Sequence, residues 1–164
     1  MSKNQGKGFE TEIQAAFEAV PNCVAHRLKD QIGKYKGVNN PCDFFFYHMP
    51  YLYAIECKST KGASLSFRDI REQEQIIDLH EIAQQRGVVA GFMIWFIDKG
   101  VTVFVRHDIV YDAYQQAKAE NGRKSIALDD ILRLSPKDFH IIDGVKKRKY
   151  FTYDVSSFIE RKWA

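Results

Sequence analysis

Pro41-Cys42-Asp43-Phe44-Phe45-Phe46-Tyr47 is followed, across a turn at Met49-Pro50, by Leu52-Tyr53-Ala54-Ile55-Glu56-Cys57-Lys58. Aromatic and β-branched residues fill both halves, which is the signature of two adjacent strands of a hairpin. Three charged residues interrupt that pattern: Asp43, Glu56 and Lys58. In an extended strand residues i and i+2 point to the same face about 6.6 Å apart, so Glu56 and Lys58 share one face and Cys57 looks to the other. Asp43 opens the neighbouring strand, which brings its carboxylate alongside that of Glu56. Carboxylates set among Phe, Ile and Tyr are costly to bury unless paired or bound to a metal.

Two carboxylates and one ammonium at the same place suit phosphate chemistry. Mg²⁺ takes one or two carboxylates and leaves its other positions to water and substrate phosphate. A lysine beside it can orient or help deprotonate an attacking water, or stabilise charge building on the phosphate. Glu-x-Lys alone is usually an exposed cross-strand pair; the added Asp43 and the apolar surroundings separate this stretch from that reading.

Working outward, Phe9, Ile13, Ala16, Phe17 and Val20 recur at helical spacing over residues 5–20, with Pro21 as a stop. Glu10 stands in line with Ile13, Phe17 and Val20, whereas Glu12 lies about 200° around the helix, so Glu10 ends the buried stripe and faces the sheet. Residues 23–29 read as a short strand and 30–41 as a loop carrying Lys34, Tyr35 and Lys36. Beyond the hairpin, Ser66 and Asp69 resemble a capping box, and the segment Phe67–Arg86 reads as a long helix closed by Gly87. Residues 88–97 and 101–105 read as strands, 108–120 as a helix, 128–132 as a short helix, and 139–151 as a strand pair before a basic tail.

Glu10 in GKGFE, Asp43 in NPCDF, Glu56 and Lys58 in IECKSTKG, and a glutamine-bearing helix afterwards resemble the PD-(D/E)xK nuclease superfamily. Within it the pattern is most similar to RecU-type Holliday junction resolvases, particularly small phage-borne relatives, over about residues 6–105. The resemblance implies a restriction-endonuclease-like α/β fold, a mixed central sheet flanked by helices. It implies a homodimer and Mg²⁺-dependent cutting of four-way DNA junctions in recombination or phage DNA processing, with Mn²⁺ as a substitute ion. It also implies an active site of Glu10, Asp43, Glu56 and Lys58, the three acids holding metal. Gln73 and Gln75 both lie on the following helix; Gln75, followed by Ile76, Ile77 and Leu79, matches the family pattern better and would orient water or Lys58. The insertion at residues 30–41 is short where long relatives carry a stalk. Arg27, Lys29, Lys34, Lys36, Lys61 and Arg68 are assigned to DNA phosphates, which supply the sequence-independent part of affinity. Two rival readings stay open: another nuclease of the superfamily, of restriction or repair type, and a non-catalytic DNA-binding modulator of recombination.

Composition agrees with one globular domain over residues 1–164. Apolar residues make up 45 % and aromatics 13 %, with four prolines, far from the composition of disordered chains. The longest apolar run, Val88–Ile97, spans ten residues, half of what a membrane-spanning helix needs. The first twelve residues lack the apolar stretch of a secretory signal, and three cysteines without a CxxC pair suit a reducing compartment. A cytoplasmic location is therefore expected, with no membrane partner; any recombinase partner is left open. The net charge of +3 is unevenly distributed: residues 1–40 hold six Lys/Arg against four Asp/Glu, residues 41–143 twelve against fifteen, and residues 144–164 six against two. Basic flanks around an acidic centre are compatible with a polyanionic partner.

Overall fold

The structure, a computed structural model, describes residues 3–28, 40–68, 70, 73–119, 121–148 and 151–163. In chain order they form α1 (Lys3–Glu18), β1 (Val24–Arg27), β2 (Phe44–His48), β3 (Tyr51–Thr60), β4 (Ser64–Ser66) and α2 (Gln73–Ile82). There follow β5 (Val88–Phe96), a 3₁₀ turn (Ile97–Lys99), β6 (Val101–Arg106), α3 (His107–Ala117), β7 (Ser125–Ala127) and α4 (Leu128–Ile131). The chain ends with β8 (Phe139–Ile141), β9 (Asp143–Lys146), β10 (Phe151–Asp154) and α5 (Ser156–Ile159).

Among the described residues the main sheet has six strands in the order β1-β2-β3-β5-β6-β8. It is mixed: β3 and β5 run parallel and every other neighbouring pair is antiparallel. A parallel pair needs a crossover, and the segment holding β4 and α2 provides it. β3 lies inside the sheet with helices over both faces, which is why its alternation of apolar side chains is nearly continuous. On one face Tyr53, Ile55, Cys57, Met93, Trp95 and Phe104 pack against Phe9, Ile13 and Phe17 of α1. On the other, Ala54, Phe92, Ile94, Val103 and Val105 meet Ile76 and Leu79 of α2 and Val110 and Tyr114 of α3. Gly91 sits where the backbone of β6 comes close: a Cβ there would stand 2.3 Å from the Val105 carbonyl and 2.6 Å from the Phe104 ring. This is the mixed central sheet flanked by helices that the resemblance implies.

Three local expectations are corrected. The second helix does not start at Phe67. Ser64–Ser66 instead pairs antiparallel with Ser125–Ala127, the Phe67 N–H donates to the Lys124 carbonyl at 3.1 Å, and Phe67 and Ile70 are buried. That distant pairing overrides the local capping signal; Asp69 lies outside the described residues, and the Ser66 hydroxyl accepts from the Arg68 N–H instead. The helix also stops at Ile82, four residues short of Arg86. Finally, the basic C-terminal segment is no solvated tail. Val155, Phe158, Ile159 and Trp163 are buried in the α1-side core, and the Trp163 indole donates to the Phe158 carbonyl at 3.0 Å. No helix among the described residues is long and apolar enough to cross a membrane.

Candidate active site

The hairpin register carries the site. Phe44 lies opposite Ile55, and the Asp43 N–H donates to the Ile55 carbonyl at 3.1 Å, so the next pair along sets Asp43 opposite Glu56. The Asp43 carboxylate accepts the Cys57 backbone N–H at 2.8 Å. Asp43 is thereby fixed across the strands at the point where Glu56 and Lys58 emerge. Strand alternation turns Cys57 into the α1-side core, where burial, followed by the charges of Asp43 and Glu56, pushes its thiol well above its ordinary pKa.

Glu56 is 1 % exposed. Its Oε1 pairs with the Lys58 ammonium, and its Oε2 is buried with no hydrogen-bond partner among the described residues. Burial first, and then the charge of Asp43, push its pKa up to about 8; Lys58 pulls it back and the more distant charge of Glu10 adds to the rise. Burial alone would depress Lys58, but the charge and hydrogen bond of Glu56 outweigh it, and the ammonium ends above its ordinary pKa. Lys58 Nζ also lies 3.4 Å from the Gln75 Oε1, so α2 contributes a second oxygen to hold the ammonium.

The structure thus brings together Asp43, Glu56, Lys58 and Gln75. Glu10 lies at the end of the α1 stripe and its field reaches Glu56, but its carboxylate pairs with the Arg27 guanidinium. Among the described residues no three His, Cys, Asp or Glu side chains gather as a metal cluster. Arg27, assigned to phosphate from the sequence, sits on Glu10 and 5.6 Å from the centre of the Phe44 ring. Lys61 and Arg68 are exposed, and the turn bearing Lys61 is closed by the Thr60 hydroxyl donating to the Ser64 carbonyl at 3.1 Å. Lys29, Lys34 and Lys36 lie outside the described residues, as does most of the 30–41 insertion. One contributor was missed from the sequence: the Cys57 backbone N–H that anchors Asp43, a group that no side-chain pattern marks.

The pair fits a divalent cation on its own chemistry. Two carboxylates are held side by side, one oxygen of Glu56 is buried without a partner, and the repulsion of Asp43 raises the pKa of Glu56. A cation is the group that would relieve all three conditions.

The six-stranded mixed sheet with its flanking helices has a counterpart among solved structures. The Holliday junction resolvase Hjc of the archaeal hyperthermophile Archaeoglobus fulgidus superposes with a TM-score of 0.50 at 17 % identity, over 76 % of this chain and 89 % of that chain. In sequence the chain is 32 % identical over 112 residues to the SPbeta prophage-derived uncharacterized protein YotM of Bacillus subtilis (strain 168), a match over 65 % of this chain. The matched chain spans 57 % of the length of that curated relative. No family model matches the sequence.

Proposed function

We propose that this chain is a metal-dependent endonuclease that cuts branched DNA, a Holliday junction resolvase with RecU-like site residues. The observation that carries the reading is the half-buried Asp43 beside the buried Glu56, with Lys58 two residues on and an oxygen of Glu56 left without a partner among the described residues. The resolvase-like architecture supports the same reading.

Asp43 and Glu56 would hold Mg²⁺ or Mn²⁺, with Glu10 as the third acid once its carboxylate leaves Arg27. The bound ion would supply a Lewis acid for the phosphate and a more acidic water. Lys58 enters as an ammonium, because Glu56 raises its pKa; its role is to stabilise negative charge on the phosphate, and of the two roles open to a lysine the charged one is favoured. Gln75 orients Lys58 through its side-chain oxygen. Attack of water on phosphorus with departure of the 3′-oxygen leaves a 5′-phosphate. A homodimer with twofold symmetry would present two sites to two strands of the junction. Arg27, Lys61 and Arg68, with Lys29, Lys34 and Lys36, would supply phosphate contacts.

Incubating the purified protein with a synthetic four-way junction, a linear duplex and a single strand, with and without Mg²⁺, tests this. Junction cutting that needs the metal supports the proposal. Equal cutting of duplex favours a restriction-type or repair-type nuclease, and binding without cutting favours a recombination modulator.

A further inference from the structure

On the α1 side of the sheet, a cavity of about 400 Å³ is bordered by Trp95, Ile97, Asp98, Lys99, Gly100, Lys146 and Phe151. Trp95 is 5 % exposed, and its indole N–H is buried with no acceptor among the described residues. An indole N–H can only donate, so whatever satisfies it must bring an acceptor. Its partner across β3 and β5 is Ser59, also buried, whose hydroxyl likewise has no partner among the described residues. Two unsatisfied polar groups on adjacent strands are unusual where buried donors and acceptors are normally paired.

Packing does not explain the indole. The Phe9 ring lies 5.8 Å and the Phe151 ring 5.9 Å from the Trp95 ring centre, both apolar neighbours that offer its N–H no acceptor. The charges around the cavity are Lys99 and Lys146 against Asp98, and the exposed Lys147 and Arg148 continue the positive run beyond β9.

Position relates the cavity to the site. Ser59 lies three residues along β3 from Glu56, roughly 10 Å at 3.3 Å per residue, and Phe9 is the chain neighbour of Glu10. Glu56 and Lys58 stand on the α2 side of the sheet and the cavity on the α1 side, both in the half of β3 and β5 that leads to Thr60 and Phe96.

We propose that this cavity takes a second phosphate of the bound DNA, remote from the one presented to Asp43 and Glu56, with Lys99 and Lys146 supplying charge and the Trp95 N–H supplying a hydrogen bond, directly or through water. The inference rests on the DNA-nuclease reading above.

The test is junction binding by the full chain without divalent metal, so that nothing is cut, titrated at several salt concentrations. Lys99→Ala with Lys146→Ala should lower the logarithmic salt slope by about 0.9 for each lysine. Lys118→Ala, at the residue following α3 on the opposite face, should leave it unchanged. Trp95→Phe keeps a ring in the core and should weaken binding about tenfold, the loss of one hydrogen bond to a charged group, measured at a temperature where the variant, less stable because its smaller ring leaves a void, is still fully folded. Should Trp95→Phe fail to fold, the two exposed lysines still decide the matter. Wild-type binding with a slope that the lysine pair does not move overturns this site and leaves the nuclease reading standing. Absence of any DNA binding by the wild-type chain overturns both.

Discussion

The Asp43 carboxylate accepts the backbone N–H of Cys57 at 2.8 Å, the one residue between Glu56 and Lys58. This bond ties the two strands together where the three charged groups of the hairpin stand, and in the proposed site Asp43 would have a second, separable duty, to offer a carboxylate oxygen to a metal.

Those duties come apart on substitution. Asp43→Asn keeps an oxygen that can accept from Cys57 and should melt close to wild type, whereas Asp43→Ala leaves that N–H unpaired and should cost about 1–3 kcal/mol. Both should abolish cleavage while junction binding stays within a few-fold, because removing the charge also lessens repulsion of phosphate. Thermal unfolding beside a cleavage assay checks this, and near wild-type cutting by Asp43→Asn in Mg²⁺ would remove Asp43 from the metal site.

Glu56 makes the stability of the metal-free protein depend on pH. Its carboxyl is raised from 4.5 in the free side chain to about 8 by burial and by Asp43, so the folded chain holds a proton that the unfolded chain releases. The stabilisation is complete below about pH 4.5 and is lost as pH rises towards and through 8, by an amount on the order of a few kcal/mol. Denaturant unfolding at pH 5 and pH 9 should show this loss in wild type and a flatter profile in Glu56→Gln. Identical profiles would mean that Glu56 is not the group responsible.

In the proposed site Gln75 would act through Lys58, whose ammonium lies 3.4 Å from its side-chain oxygen. Gln75→Ala should lower turnover by roughly ten- to a hundredfold, the range typical of residues that orient a ligand or catalytic group, with the junction dissociation constant little changed. Gln73→Ala should cut as wild type does. A larger loss for Gln73→Ala than for Gln75→Ala in single-turnover assays would reverse the assignment.

Glu10 and Glu12 form an internal control on α1. The helical wheel points only Glu10 at the sheet, and its field reaches Glu56, so Glu10→Gln should be severe and Glu12→Gln nearly silent in the same cleavage assay. Arg27→Ala takes the guanidinium away from the Glu10 carboxylate and should tighten metal binding to the intact protein, measured by calorimetry. Equal activity of the two glutamate variants would take Glu10 out of the chemistry.

The hairpin and its charges were legible because strand alternation is a strictly local rule: the side chain of residue 56 cannot share a face with that of residue 57, whatever the rest of the chain does. The α1 stripe was legible for the same reason. What the sequence hid depends on distant partners. Ser66 reads as a helix cap until Ser64–Ser66 pairs with residues 125–127, and Arg27 reads as a cation for phosphate until Glu10, seventeen residues earlier, meets it. The C-terminal segment reads as basic because Arg161 and Lys162 stand beside Trp163, yet the buried Phe158, Ile159 and Trp163 bring it into the core.

Strand-by-strand mapping of incisions in a four-way junction, beside a linear duplex of the same sequence and with Mg²⁺ present or withheld, bears most directly on the central claim. The expected result is paired incisions at symmetric positions, 5′-phosphate ends, slow cutting of duplex, and no cutting without the metal or in Glu56→Gln. Duplex cut as fast as the junction, or metal-dependent cutting that survives Glu56→Gln, would contradict it.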